Sequence, residues 1–472
     1  MADYQRAFHV VLKETKINSL KEKQVEILET ILNNNNCLAI LPTGYGKSLP
    51  YQLYLPVIRA LGDDWSKKKN SKVIVCCPLT SIMEDQVNKL KQTTLVSAEY
   101  LGSSPEADSA ISNCDVDLIY GSPELLVGNV QRREIIQKLD VSLIVIDEFH
   151  TIATWGGMGN EEEAFRKWFR HLGELRSMFP NAVLLALSAT CTKIIEKRVL
   201  NVLGIDKKTI KSIRLSPNKE NIKFIVNKIP NSMESAMFWV MEALNNLKVK
   251  FPRCIIYCNT IKDVSLMYNF LTSEIPDSAN FVEMFHSETP SHCKSEIIDK
   301  LCNDNSLRIV IATNALGMGI DIKNCNSVII YGPPVNNITD LVQEMGRIGR
   351  DGLPSVAVVL YNSYQCKLLD TEVKTFLRTD VCRRQTLMEN FHSGAEMETV
   401  KKSLNQHHCC DICSKLCTCG QCISLPIEKL LNCFTSEDQA EDGNNSSDSE
   451  TISYFYESNS EQFFNFSDND DC

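Results

Sequence analysis

Short, almost continuously apolar runs alternate with longer helical patterns over residues 1 to about 365. Such runs are typical of strands that are buried on both faces, as in a parallel sheet with helices on either side. The runs begin at Cys37, Lys72, Val116, Val141 and Ala182 in a first series and at Cys254, Phe281, Arg308, Ser327 and Ser355 in a second. We therefore predict two α/β domains with parallel sheets, joined near residues 217–229.

The last hundred residues differ in character from the rest of the chain. Residues 366–430 combine helical patterns with many cysteines, whereas residues 431–472 contain eleven Asp and Glu and no Lys or Arg. A segment so acidic and so rich in Ser and Asn buries too little apolar surface to fold. We predict sheet domains over 1–216 and 217–365, a small helical subdomain over 366–430, and a disordered acidic tail over 431–472.

The net charge of −10 over 472 residues comes from this tail, so the rest of the chain is close to neutral. A neutral body neither supports nor excludes binding to nucleic acid. The sequence lacks an apolar N-terminal signal and a run approaching about 18 apolar residues, which predicts no membrane partner. We expect a reducing location, the nucleus or the cytoplasm, where the 20 cysteines serve as thiols and metal ligands.

A glycine-containing loop, LPTGYGKS (41–48), follows the first predicted strand and precedes a helical pattern. In such a loop the backbone N–H groups point at a phosphate, and the helix N-terminus adds its dipole. Lys47 then reaches the β- and γ-phosphates of ATP, and the Ser48 hydroxyl holds Mg²⁺. Leu41 stands where the strict pattern has its first glycine. The predicted nucleotide contacts of the loop are Thr43, Gly44, Gly46, Lys47 and Ser48.

Two adjacent carboxylates end another predicted strand, in the sequence DEFH (147–150). One carboxylate at the end of a strand beside the phosphate loop can hold Mg²⁺, and its neighbour can orient and deprotonate the attacking water. We assign these roles to Asp147 and Glu148. With SAT (188–190) at the end of a third strand, the three segments predict ATP hydrolysis rather than an ordinary acidic turn.

The order of these segments resembles that of the RecQ-type helicases of superfamily two. LPTGYGKS, DEFH and SAT are similar to motifs I, II and III, and CCPLTSIMEDQVNKL (76–90) is similar to motif Ia. IATNALGMGID (311–321) is similar to motif V, and QEMGRIGRDG (343–352) to motif VI. The resemblance implies two tandem RecA-like domains. A metabolic P-loop kinase would explain neither motif VI nor the second domain.

The resemblance implies further contacts with ATP. Gln24 falls at a motif whose glutamine binds the adenine edge, and Gln343 opens motif VI. An arginine of motif VI reaches the γ-phosphate from the second domain, since a planar, permanently charged fork suits charge that develops on phosphate oxygens. Arg347 and Arg350 are the candidates, and the resemblance does not decide between them.

The resemblance also implies contacts with nucleic acid. An aromatic-rich segment after motif II contacts single strands in these helicases, and small residues of motif V approach the backbone. Packing of the aromatic side chains within the protein is the alternative for each of them. The predicted nucleic-acid contacts are Trp155, Phe165, Arg166, Trp168, Thr313 and Gly317.

The cysteine-rich segment has the spacing of a zinc site. CRR (382–384) and HHCCDIC (407–413) resemble the zinc subdomain of the RecQ family. The predicted Zn²⁺ ligands are Cys382, His407, Cys410 and Cys413, with His408 or Cys409 as alternatives to His407. The additional Cys417, Cys419 and Cys422 have no counterpart in the family pattern, and they are spare thiols or a second weak site.

Taken with the resemblance, these motifs predict a short-form ATP-dependent helicase with a core and a zinc subdomain. It would move 3′ to 5′ on single-stranded DNA and unwind duplex DNA in DNA repair or recombination, with no protein partner indicated. The alternative is a nucleic-acid-binding ATPase or scaffold with weak or no unwinding. Departures from the family pattern favour this alternative. Phe149 replaces the family's alanine beside the nucleotide site, and the segment 157–163 is longer and more acidic than the family pattern.

Overall fold

The computed structural model describes most of the chain up to residue 437. It describes residues 2–437 apart from 16, 94, 156–165, 276–277, 304–305, 318–321, 323, 336, 393, 406, 420–421 and 423. The predicted acidic tail therefore lies outside the described residues from residue 438 onward. Within the described part, none of the helices combines the length and apolar character that a bilayer crossing demands.

The first domain is built on a seven-stranded, all-parallel sheet, as predicted. Its strand order is β3-β4-β2-β5-β6-β1-β7. The strands are β1 (Cys37–Ile40), β2 (Lys72–Cys76), β3 (Ala98–Tyr100), β4 (Leu118–Gly121), β5 (Val141–Ile146), β6 (Val183–Ser188) and β7 (Lys211–Arg214). Because the four residues of β1 and the six of β5 and β6 are all buried, the centre of the sheet is covered on both faces.

Among the residues that the structure describes, nine α-helices cover the two faces of this sheet. They are α1 (Ala2–Thr15), α2 (Glu22–Leu32), α3 (Leu49–Ala60), α4 (Thr80–Lys91), α5 (Pro105–Ser112), α6 (Val130–Ile136), α7 (His150–Trp155), α8 (Gly173–Met178) and α9 (Lys193–Val202). Helices α1 to α4 share one apolar cluster with the sheet. Helices α5 to α9 share the cluster on the opposite face. The phosphate-loop helix α3 and the helix after motif II, α7, therefore lie on opposite faces.

The second domain carries a six-stranded parallel sheet in the order β10-β11-β9-β12-β13-β8. Its strands are β8 (Ile222–Lys228), β9 (Cys254–Cys258), β10 (Val282–Phe285), β11 (Ile309–Ala312), β12 (Ser327–Tyr331) and β13 (Ser355–Tyr361). Four helices accompany the strands: α10 (Met233–Leu247), α11 (Ile261–Glu274), α12 (Ser291–Asn303) and α13 (Ile338–Met345). Helices α10 and α11 cover one face and α12 and α13 the other.

The cysteine-rich segment consists of short helices, as predicted. They are α14 (Gln365–Leu368), α15 (Thr371–Arg378), α16 (Arg383–Met388), α17 (Ala395–Lys402), α18 (Asp411–Leu416) and α19 (Pro426–Glu437). The buried side chains of α14 to α17 extend the core of the second domain on the α12 and α13 face. Helix α19 packs against α10 on the other face. The predicted boundary at residue 430 thus falls inside a helix, and Leu431 is buried in this contact.

All ten predicted strands are present, and the structure adds three that the sequence patterns did not indicate. The added strands β3, β7 and β8 each lie at an edge of a sheet. An edge strand has one neighbour instead of two, so it is not required to be a continuous apolar run. In β7, for example, Lys211 and Ser212 are exposed.

The edge formed by β8 is covered by the cysteine-rich segment. The N–H of Phe224 donates to the carbonyl of Cys409 (3.2 Å) in an isolated parallel bridge. The buried guanidinium of Arg384 lies over the Phe224 ring, 4.5 Å from its centroid, and donates to the carbonyls of Ile222 and Cys409. The cysteine-rich segment therefore protects a sheet edge that would otherwise expose unpaired backbone groups.

A short linker joins the two sheets between Arg214 and Ile222. Its first residue, Leu215, is bound to the first domain, because its N–H donates to the carbonyl of Ile40 (2.9 Å). From Asn218 onward the linker is bound to the cysteine-rich segment, since Arg384 donates to the Asn218 side chain (2.7 Å). Ser216 and Pro217 lie between these two attachments, and Ser216 Oγ also lies 2.7 Å from His392 Nε2 of the cysteine-rich segment.

Candidate nucleotide site and metal centres

The glycine loop lies between β1 and α3. Leu41 extends the buried strand, with its N–H bonded to β6, so the missing glycine lies before the turn. Gly44 and Gly46 adopt left-handed backbone angles, with φ of +82° and +86°. A Cβ at Gly46 would also lie 2.6 Å from the amide nitrogen of Gln24. Because Ser48 is the N-cap of α3, the loop presents the backbone of a helix N-terminus, which is the arrangement that binds phosphate.

Gln24 lies against this loop, but its side-chain amide is already hydrogen-bonded to backbone groups of the protein. Its Nε2 donates to the carbonyls of Tyr45 (3.1 Å) and Gly46 (2.9 Å), and its Oε1 accepts from the N–H of Lys21 (2.8 Å). An amide nitrogen has two hydrogens, and both are used here. In this arrangement Gln24 supports the loop, and an adenine contact would require its amide to turn.

Asp147 and Glu148 follow β5 and face the loop. Lys47 Nζ lies 3.7 Å from Glu148 Oε1. Burial alone would raise the pKa of Glu148, but Lys47 and His150 outweigh it and hold this pKa well below its usual range. Burial, with the adjacent Glu148, raises the pKa of Asp147. Glu148 also has a left-handed backbone (φ +48°), which is rare outside glycine and is typical of functional sites.

His150 connects motif II to motifs III and VI, and the sequence prediction did not single it out. Its Nδ1 lies 2.9 Å from Ser188 Oγ and 3.3 Å from Glu148 Oε2. Its Nε2 lies 3.2 Å from the amide nitrogen of Gln343, which also lies 3.2 Å from Thr190 Oγ1. Because an amide N–H donates, Nε2 accepts and the ring proton is on Nδ1. Its position as the last residue of the DEFH motif was the signal in the sequence that could have identified His150.

The two arginines of motif VI differ in position. Arg347 is buried and lies close enough to Glu148 to help lower the pKa of that carboxyl group. Arg350 is half-buried, and its charge acts on Arg347 and Tyr257 within the second domain. The structure thus places Arg347 across the cleft from motif II. A contact from Thr43 Oγ1 to the carbonyl of Gly346 (3.4 Å) also joins the two domains.

Phe149 stands where the resemblance implies alanine, and its side chain packs away from helix α3. Its side chain is fully buried in the cluster shared by α5 to α9, on the face opposite α3. Its N–H donates to the carbonyl of Leu187 (2.9 Å), which fixes the backbone after Glu148. The larger side chain therefore fills the core behind the site.

The aromatic segment after motif II is packed largely against the protein itself. Trp155 and Phe169 form an edge-to-face pair with centroids 5.6 Å apart, and Arg166 lies over both rings. Arg166 also pairs with Glu124 (Nε–Oε1 2.7 Å) and donates to the carbonyl of Pro78 in motif Ia. Trp168 packs directly over Gly128. Phe165 lies outside the described residues.

Trp155 nevertheless reaches the interdomain cleft. It lines a small cavity together with His150, Asn314 and Arg347. In motif V, Thr313 follows β11 and is nearly buried, and Gly317 ends a short 3₁₀ helix over Asn314–Gly317. One predicted nucleic-acid residue, Trp155, thus lies at the junction of motifs II, V and VI.

The first cysteine cluster consists of Cys382, Cys409, Cys410 and Cys413. Their sulfur atoms all lie within 4.8 Å of one another, with Cys382 and Cys409 at 3.3 Å. Four thiolates on one Zn²⁺ would lie about 3.8 Å apart, so the group fits a tetrahedral ion. The N–H of Cys413 donates to Cys410 Sγ (3.5 Å), which orients that sulfur.

The assignment of His407 to this cluster was wrong, and Cys409 takes its place. The backbone pairing of Cys409 with Phe224 draws Cys409 and Cys410 into the core, whereas His407 lies on the outer side. His407 instead joins Cys417, Cys419 and Cys422 in a second group of potential ligands. Sequence spacing alone left both choices open because His407, His408 and Cys409 are consecutive.

Two family models match the chain. The model described as DEAD/DEAH box helicase matches residues 21–198, and the model described as Helicase conserved C-terminal domain matches residues 238–352. The two matches together span more than half of the chain. They cover the two sheet domains and all the motifs that line the cleft.

Curated relatives extend the similarity into the cysteine-rich segment. A protein of Acanthamoeba polyphaga mimivirus that carries the name of an ATP-dependent RNA helicase is 28% identical, over 88% of this chain and 75% of its own. ATP-dependent DNA helicase RecQ of Haemophilus influenzae is 29% identical, over 84% of this chain and 61% of its own. The RecS DNA helicase of Bacillus subtilis is 32% identical, over 72% and 64%. The chain thus spans less than two thirds of both bacterial relatives.

Solved structures agree on the fold. Dbp5 of Saccharomyces cerevisiae, bound to RNA and ADP BeF3, matches with a TM-score of 0.59 at 16% identity, over 86% of this chain and 98% of that chain. The two RecA-like domains predicted from the motifs are confirmed. The motifs, the family models and the relatives agree that this chain belongs to the RecQ-type helicases.

Proposed function

We propose that the protein is an ATP-dependent DNA helicase that moves 3′ to 5′ on single-stranded DNA and separates duplex strands. The observation that carries this proposal is the polar network across the interdomain cleft. In that network Glu148, His150 and Thr190 of the first domain face Gln343 and Arg347 of the second. A motor of this kind needs both domains to contact one nucleotide, so that hydrolysis and domain movement are coupled.

The residues of the cleft fit ATP and Mg²⁺. The backbone of the glycine loop and Lys47 would hold the phosphates, and Ser48 with Asp147 would hold the metal ion, which neutralises charge on the phosphate oxygens when it is bound. Glu148 stays ionised because Lys47 and His150 lower its pKa, so it can accept a proton from water. Arg347 brings a positive charge from the other domain to the same point.

We further propose that the Cys382, Cys409, Cys410 and Cys413 cluster binds Zn²⁺ as a structural site. Four protein ligands leave no open position for catalysis. Because Cys409 and Cys410 also cover the edge of β8, the ion would stabilise the segment that covers it.

The preference for DNA rests on the names of the bacterial relatives, which are DNA helicases, whereas the viral relative is named for RNA. The 3′-to-5′ polarity, the role in DNA repair or recombination, and a nuclear or cytoplasmic location rest on the family resemblance alone.

A strand-displacement assay tests the proposal. Four substrates are compared at one stated salt concentration: DNA duplexes with a 3′ or a 5′ single-stranded tail, and the same two duplexes in RNA. We expect ATP-dependent displacement from the 3′-tailed DNA and none with Glu148→Gln. Strand displacement from the RNA duplexes but not from the DNA duplexes would contradict the proposed DNA substrate. Displacement from the 5′-tailed DNA alone would contradict the proposed 3′-to-5′ polarity.

A second candidate is a nucleic-acid-dependent ATPase with weak or no unwinding. The aromatic segment favours it, because Trp155, Arg166 and Trp168 make contacts inside the protein that a nucleic acid would have to replace. Hydrolysis that DNA stimulates, with no displacement from any of the four substrates, would support this candidate. Absence of hydrolysis with every nucleic acid would contradict both.

A further inference from the structure

A second cluster of potential metal ligands lies next to the first and has no counterpart in the helicase motifs. It consists of His407, Cys417, Cys419 and Cys422, which come from the turn before Cys409 and from the loop between α18 and α19. We propose that these four residues form a second Zn²⁺ site, of the Cys₃His type, separate from the Cys₄ cluster.

The distances between the ligand atoms match one tetrahedral ion. With Zn–S and Zn–N bonds of about 2.3 and 2.0 Å, sulfur atoms lie about 3.8 Å apart and sulfur lies about 3.5 Å from nitrogen. Cys419 Sγ and Cys422 Sγ are 3.7 Å apart. His407 Nδ1 lies 3.3, 3.1 and 3.5 Å from the sulfurs of Cys417, Cys419 and Cys422, respectively. All four atoms lie within 4.8 Å of one another.

Neither hydrogen bonding nor oxidation accounts for this arrangement. A neutral imidazole nitrogen is either a donor or an acceptor, with one lone pair or one hydrogen, so it cannot bond three thiols at once. A disulfide would bring two sulfurs to about 2.05 Å. Three sulfurs around one nitrogen are instead what a shared ion requires.

The site would be structural and independent of the Cys₄ cluster. The two groups share no ligand, and each has four, so neither leaves a position for a reacting molecule. The second site would fix the loop between α18 and α19. Helix α19 follows at once and is anchored to β8 by the buried ion pair between Glu428 and Lys223 (2.6 Å). The ion would therefore join the turn at His407 to the start of this anchored helix.

The two sites differ in exposure, which gives an order of metal release. Cys409 and Cys410 are buried, whereas Cys419 is exposed and the other ligands of the second site are half-buried. A chelator reaches an exposed ion sooner. We expect two kinetic phases of zinc release, the faster one from the second site.

The test is the zinc content of the untagged full-length chain, purified without chelator. We expect two zinc ions per chain in the wild type and one in C419S and in C422S, with the fast release phase lost. C114S, which changes an exposed cysteine outside both clusters, should keep two. Cobalt substitution gives a second readout, since the thiolate-to-cobalt absorption lost in C419S should equal that of a three-thiolate site.

C422S keeps the proposal testable if C419S fails to fold. A single zinc in the wild type that C419S retains in full overturns the second site. Two zinc ions that C419S and C422S both retain would also overturn it, because the second ion would then lie elsewhere.

Discussion

The interdomain cleft and the aromatic segment both include residues from the stretch of chain after β5, yet they are built differently. In the cleft, charged and polar side chains of both domains converge, and Arg347 and Gln343 face Glu148 and His150. In the aromatic segment, Arg166 and Trp168 are satisfied by neighbours in their own domain. The cleft is assembled to react with a nucleotide, whereas the aromatic segment must exchange internal contacts before it can bind a strand.

This difference separates two properties that helicases usually combine. Under the proposed function, we expect hydrolysis to depend on the cleft, and its response to nucleic acid to depend on how easily the internal contacts of the aromatic segment are released. Trp155 belongs to both regions, since it packs on Phe169 and also lines the cavity beside Arg347. Variants of the two regions should therefore affect basal and stimulated turnover differently.

The largest effect is expected from Lys47→Ala. We expect ATPase activity to fall by on the order of 10³-fold or more, because Lys47 contacts the phosphates, with single-strand binding within a few-fold of the wild type. Steady-state hydrolysis and fluorescence anisotropy measure the two properties. Lys401→Ala, an exposed surface change, serves as the control. Hydrolysis that persists in Lys47→Ala would show that the glycine loop is not the phosphate site.

The arginines test whether the second domain completes the cleft. Arg347→Ala should lower kcat by on the order of 10³-fold, the range seen for arginines that act on a transferring phosphoryl group. ATP affinity should change far less, since this charge matters most in the transition state. Arg350→Ala should have the smaller effect, because the charge of Arg347 acts directly on Glu148, whereas that of Arg350 acts on Arg347 and Tyr257. Values of kcat and KM for both variants measure this, and the opposite ranking would show that the domains rearrange when ATP binds.

Arg166→Ala separates the two regions most directly. It removes the link from Glu124 and motif Ia to the aromatic pair, so we expect DNA stimulation of the ATPase to change by about tenfold, equivalent to about 1.4 kcal/mol. Basal turnover should change less, since Arg166 is paired with Glu124 and motif Ia rather than with a residue of the nucleotide site. Arg166→Lys should not restore the wild-type value, because an ammonium cannot reproduce the two-nitrogen pairing with Glu124. An equal loss of the basal and the DNA-stimulated ATPase rates would contradict the functional separation of the cleft from the aromatic segment.

The smallest effect on turnover is expected from Phe149→Ala. Because the ring fills the core behind the site, its loss should destabilise the folded protein by about 3–5 kcal/mol. The turnover of the folded fraction should stay within about twofold, or about 0.4 kcal/mol. Thermal unfolding and hydrolysis at low temperature measure the two effects. A higher turnover without loss of stability would mean that Phe149 restricts the nucleotide site after all.

Much of the fold was predictable because its central strands are buried on both faces and leave continuous apolar runs in the sequence. The edge strands β3, β7 and β8 were missed because the covering of an edge is a tertiary property. The bounds of the cysteine-rich segment were also not predictable in detail. Its helices lack a core of their own and use that of the second domain.

The site was predictable where a residue type has few uses, as for Lys47, Asp147 and Glu148. Sequence spacing could not choose between His407 and Cys409, because backbone pairing with β8 decides which of them turns inward. The difference between Arg347 and Arg350 likewise depends on how the second domain faces the first. The role of Gln24 in holding the glycine loop follows from the close approach at Gly46, which spacing does not reveal.

The linker between the sheets has a mechanical consequence. Leu215 is bound to the first domain, whereas Ser216 and Asn218 are bound to the cysteine-rich segment, Ser216 through His392 and Asn218 through Arg384. Three Cα–Cα steps join Leu215 to Asn218, so these two attachments lie at most about 11 Å apart. Proline also fixes one of the few dihedral angles available there. The second domain can therefore pivot about this point but cannot slide away from it. Displacements grow with distance from the pivot, so a rotation of the second domain about the linker moves the far end of the cleft the most.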